Sequence, residues 1–66
     1  MLRLEEILNE KGLGKVFYHE KCEDLKFHVY YDAEAHDYLL LVHGEDKIVQ
    51  APIMGSLLEG FYTKED

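Results

Sequence analysis

Apolar and more polar residues alternate through the middle of the chain, between residues 25 and 32. Such a period of two predicts a β-strand with one buried face. Segments rich in strand-forming residues lie on both sides of it, and short polar turns separate them. We therefore predict an antiparallel meander of three to four strands. The predicted strands span residues 15–19, 25–32, 37–43 and 47–51.

The alternation also predicts how these strands pair. With a four-residue hairpin loop at 33–36, Phe27 lies opposite Val42, and one face of the hairpin is wholly apolar. A shift of one residue would turn the apolar side chains of one strand outward, so the pattern selects this register. The following hairpin then places Val49 opposite Val42, on the same face.

Helical spacing of apolar residues marks both ends of the chain. From Leu4 to Leu8 the spacing predicts a helix over residues 2–11, with Gly12 as its left-handed cap. A second, short helix is predicted near the C-terminus, on its own sheet or reaching to a neighbouring chain. Its apolar residues, at i, i+3, i+4 and i+7, are Met54, Leu57, Leu58 and Phe61.

Together these elements predict a two-layer α+β fold, with both helices packed on the apolar face of the sheet. The alternative is an SH3-like small barrel with terminal helices. The whole chain, residues 1–66, is expected to form one small domain. A domain of this size buries only about 60% of the surface that its unfolded chain exposes, so burial against a partner would add much to its stability.

The second face of the sheet is expected to be polar if helices cover only the first. Instead it carries a cluster of large apolar residues, of the size that marks an interaction site. We expect contact with another protein chain, most simply a second copy related by a twofold axis. The alternatives are one helix covering each face, or closure of a barrel. The predicted interface residues are Tyr30, Leu39, Leu41, Ile48, His28 and His43.

Charge and composition exclude several classes of function. Seven basic against fourteen acidic residues give a net charge of −7, which argues against binding nucleic acid through its phosphates. No apolar run reaches the roughly 18 residues of a membrane helix, so no membrane partner is expected. The single cysteine, Cys22, cannot form an internal disulfide, and a cytoplasmic location is expected.

Four histidines and one cysteine raise the question of a metal site. His19 and Cys22 form a close pair, but a structural zinc site usually takes two such pairs. We expect His19 and His36 to be exposed to solvent, and we expect no metal or cofactor. No catalytic motif is present, and a chain this short leaves little room for a deep pocket, so no enzyme activity is expected.

The predicted function is therefore that of a non-catalytic protein–protein interaction module, homodimeric through an apolar sheet face. Acidic residues gather in the turns, which suggests an alternative: an acidic inhibitor, of the phage or plasmid type, of a basic protein that handles nucleic acid. A metal-binding protein using its histidines and Cys22 is the other alternative.

Overall fold

The computed structural model describes residues 1–44, 46–51 and 55–64. Six strands form one antiparallel sheet, curled into a half-barrel, in the order β1-β6-β2-β3-β4-β5. The strands are β1 (Leu2–Arg3), β2 (Val16–His19), β3 (Cys22–Asp32), β4 (Asp37–His43), β5 (Ile48–Gln50) and β6 (Glu59–Tyr62). The helical elements are α1 (Leu4–Ile7) and two 3-10 turns, at Glu10–Gly12 and Gly55–Leu57.

The predicted α+β fold, with two helices on a three- to four-stranded meander, is wrong. The fold is mostly sheet, and strands take the start of the first predicted helix and the end of the second. The barrel with terminal helices is wrong as well. The described ranges contain a single α-helix of four residues, and β1 and β5 lie at opposite edges of an open sheet.

The N-terminal helix ends early because the Asn9 side chain forms hydrogen bonds with nearby backbone groups. Its amide nitrogen, Nδ2, donates to the Glu6 carbonyl oxygen at 2.9 Å, and its Oδ1 accepts from the Lys11 N–H at 2.8 Å. Asparagine often ends a helix in this way, by offering the chain local hydrogen bonds that the helix does not use. The predicted helix over residues 2–11 thus becomes a short strand, one helical turn and a separate 3-10 turn.

Gly12 is not the left-handed cap that the sequence suggests, since the positive φ of 79° belongs to Gly14. Gly12 is instead buried in the second of these turns, where a Cβ atom would collide with the Ile7 carbonyl oxygen and approach Val29 to 3.0 Å. The glycine therefore allows the N-terminal segment to lie close against the sheet.

The predicted C-terminal helix is replaced by a 3-10 turn followed by β6, while Met54 lies outside the described residues. β6 lies between β1 and β2, with Phe61 opposite both Leu2 and His19. This placement buries Phe61 completely and supplies hydrogen-bond partners to an edge of β2 that the meander leaves open. Gly60, with a φ of 102°, provides a backbone conformation that other residues rarely adopt.

The meander itself confirms the predicted pairing. β4 has the predicted bounds, and Phe27 lies opposite Val42, which lies opposite Val49. β3 is longer than predicted and begins at Cys22, after an irregularity in its pairing with β2.

One face of the sheet, the inner face, carries the core, and α1 packs on it. Phe27 and Phe61 meet edge to face there, with ring centroids 5.5 Å apart. The buried apolar residues of this core are Leu4, Ile7, Phe17, Phe27, Val29, Leu40, Ala51 and Phe61.

His19 also points to the inner face and is completely buried, so the prediction that it is exposed to solvent is wrong. Its Nδ1 accepts from the Lys21 N–H at 3.0 Å, and its Nε2 lies 2.6 Å from the Glu59 carbonyl oxygen. A carbonyl oxygen can only accept, so Nε2 is the donor in this hydrogen bond. The ring thereby ties β2 to β6.

No helix in the described part of the chain is long and apolar enough to span a membrane.

Candidate interaction surface

The strand register places a second set of side chains on the side of the sheet opposite the core. Residues that lie directly opposite one another in neighbouring strands share a face. Val16, His28, Leu41 and Gln50 form one such row across four strands. We call the whole set the outer face: Val16, Tyr18, Lys26, His28, Tyr30, Asp32, Asp37, Leu39, Leu41, His43, Ile48, Gln50 and Tyr62.

All six predicted interface residues lie on the outer face, and the cross-strand pairs are those that the sequence predicts. Tyr30 pairs with Leu39, His28 with Leu41, and His43 with Ile48.

The outer face is partly open to solvent. Tyr30 and Ile48 expose 54% and 55% of their surface, and the other four predicted residues are half-buried. The apolar side chains of α1 face the core on the other side of the sheet. Within residues 1–44, 46–51 and 55–64, no helix covers the outer face, and the structure does not show one helix on each side.

Sequence reasoning missed an aromatic extension of this face. Tyr18 and Tyr62 stack with ring centroids 5.8 Å apart, and the Lys64 ammonium lies 4.2 Å from the Tyr18 centroid. The alternation of Val16 and Tyr18 with buried neighbours in β2 could have revealed half of it. Tyr62 could not be found, because the sequence predicts a helix where β6 begins.

Acidic side chains at one end of the sheet are engaged in turns. The Asp32 carboxylate accepts from the Glu34 N–H at 3.1 Å, and the Asp37 carboxylate accepts from the Tyr38 N–H at 2.8 Å. Asp32 and Asp37 lie opposite each other at the tip of the hairpin between β3 and β4, at one end of the outer face. The rows that cross the centre of the outer face contain one charged residue, Lys26.

Two histidines meet at the centre of the outer face. The rings of His28 and His43 have centroids 4.2 Å apart and planes tilted by 40°. Burial lowers the pKa of His28 below its ordinary value of 6.5, and the nearby His43 and Lys26 lower it further. His28 is therefore mostly neutral at pH 7.

The structure does not gather the candidate metal ligands into one site. His19 uses both ring nitrogens in hydrogen bonds to the backbone. Among the described residues, no group of three or more histidine, cysteine, aspartate or glutamate side chains is placed to hold a metal ion. His36 is exposed in the hairpin turn, which confirms its predicted exposure. Its φ is 53°.

The inner face provides comparison residues for experiments. Tyr31 follows Tyr30 in β3, and Val49 lies between Ile48 and Gln50 in β5. Both point to the side of the sheet opposite these neighbours. They are 40% and 43% exposed, close to the exposure of their outer-face neighbours. A substitution at Val49 can therefore be compared directly with one at Ile48.

Comparison with protein-family models, with curated proteins and with solved structures found no match.

Proposed function

We propose that this protein is a non-catalytic interaction module that acts in the cytoplasm as a homodimer, joined through the outer face of its sheet. The observation that supports this most is the cluster of Tyr30, Leu39, Leu41 and Ile48 on a face that no described helix covers. Solvent-exposed apolar clusters on small domains commonly serve as binding surfaces.

The size of the molecule favours an interface formed by a whole face of the sheet over a smaller contact. A stable protein interface buries about 800 Å² on each partner. The accessible surface of the described chain is 4851 Å², so such an interface would cover roughly one sixth of it. The outer face crosses four neighbouring strands, β2 to β5, and is the candidate for such a contact.

The distribution of charge favours a second copy as the partner. Two chains with a net charge of −7 repel each other overall, so contact needs a surface low in negative charge. The central rows of the outer face hold apolar residues, histidines and Lys26, and its acidic pair, Asp32 and Asp37, lies at one end. Depletion of charged residues at the centre, with tyrosine among the contacts, is typical of protein interfaces.

The test is the assembly state of matched variants. Sedimentation velocity from low micromolar to millimolar concentration should show a monomer–dimer equilibrium for the natural chain. Ile48→Asp should abolish the dimer, because it places a carboxylate in the interface. Val49→Asp, on the inner face of the same strand, should leave it intact. A natural chain that stays monomeric at millimolar concentration, or equal loss of the dimer in both variants while both remain folded, would overturn the proposal.

A further inference from the structure

The contact between the two imidazoles on the outer face has a consequence for regulation, which rests on the homodimer proposed above. We propose that His28 and His43 make self-association sensitive to pH, so that the dimer forms at neutral pH and dissociates on acidification.

The two rings lie where a positive charge on either of them is unfavourable. Their centroids are 4.2 Å apart, so two protonated rings would repel each other at close range. Both side chains are half-buried in the single chain, and contact with a second copy would remove more of their water. Burying a charged group without a partner is costly, so the interface favours neutral rings.

Few of the groups that face the two rings can neutralise a positive charge on them. Lys26 lies directly opposite His43 and adds a third positive charge. Asp24 lines the same surface depression as Lys26 and His43, and is the acidic group there. The remaining neighbours are uncharged: Val16 and Leu41 lie opposite His28, and Ile48 lies opposite His43.

The sign of the effect follows from linkage. Burial already lowers the pKa of His28, and further burial on association would lower it more. The separated chains then bind more protons than the dimer, so acidification favours separation. Two copies contribute two such pairs. Between about pH 7.5 and about pH 5.5, the dissociation constant should rise roughly ten- to hundredfold.

Sedimentation equilibrium at the two pH values tests this on the full chain. The natural chain should lose affinity at the lower pH, whereas the double variant His28→Gln and His43→Gln should keep nearly the same affinity at both. His36→Asn, in the exposed turn, should respond to pH as the natural chain does. Far-UV circular dichroism at both pH values checks that each protein is folded.

The outcomes separate the two proposals. A natural chain that is monomeric at both pH values would overturn the homodimer and this inference together. A dimer with the same affinity at both pH values would overturn the inference alone. NMR titration of the His28 ring protons gives a second test that needs no variant. The pKa of His28 should be lower in concentrated than in dilute protein, and equal values would contradict the inference.

Discussion

Replacing the buried histidine of the core tests the fold most sharply. His19 is completely buried, and its ring accepts from the Lys21 N–H at 3.0 Å and donates to the Glu59 carbonyl oxygen at 2.6 Å. It also packs edge to face on Phe61, with ring centroids 4.8 Å apart. His19→Ala removes all of these contacts at the junction between β2 and β6.

The expected loss can be worked out from these contacts. Each hydrogen bond contributes about 1 kcal/mol, and each partner left without one adds a desolvation cost. The cavity left by the ring adds to the loss, as in other large-to-small core substitutions. We expect His19→Ala to lower the free energy of unfolding by about 3 kcal/mol. For a domain of 66 residues, whose total stability is roughly 3 to 10 kcal/mol, this is a large part.

Urea denaturation followed by far-UV circular dichroism measures the effect, with His36→Asn as the matched control. His36 is exposed, and asparagine tolerates its positive φ, so the control should change stability by less than about 0.5 kcal/mol. If His19→Ala were as stable as the control, His19 would not hold β2 and β6 together, and the described placement of β6 would be wrong.

Three further predictions concern backbone and charge. Gly60→Ala should lower the free energy of unfolding by about 2 kcal/mol, because the φ of Gly60 is 102° and a Cβ atom there would lie 2.9 Å from Glu20. Gly55→Ala, where a Cβ atom would meet open space, should change stability little in the same urea assay. Gly12→Ala should cost about 3 kcal/mol by thermal or urea unfolding, because its Cβ would collide with a backbone carbonyl. The free energy of unfolding should fall as the pH drops below 6.5, since the lowered pKa of His28 means that the unfolded chain binds the proton first; a His28→Gln variant should show a shallower fall.

The central meander could be predicted from the sequence because its signals are local. Phe27 belongs to a strand whose apolar residues alternate with more polar ones, and a short turn follows it, so the register that places Val42 opposite Phe27 keeps the apolar side chains of β3 on one face. The outer face followed from that register, since every residue one position away from the core falls on it. The candidate site was thus predictable wherever its residues belong to β3, β4 or β5.

The ends of the chain could not be predicted because their partners are distant in sequence. Leu2 and Phe61 pair across nearly the whole chain, and neither segment alone shows this. Their apolar spacing fits a helix locally, and long-range pairing overrides it, as tertiary contacts often do. His19 shows the same limit, because both the strand β6 and the Glu59 carbonyl that complete its environment come from the C-terminal segment.

The most direct test asks which side of the sheet loses contact with water when the chain self-associates. A soluble paramagnetic agent broadens the NMR signals of exposed methyl groups, and Ile48 and Val49 expose 55% and 43% of their surface on opposite faces of β5. On going from dilute to concentrated protein, the Ile48 methyl signals should become protected while those of Val49 stay accessible. Ile48 methyls that remain equally accessible in a sample shown to be dimeric would contradict the assignment of the outer face as the interface.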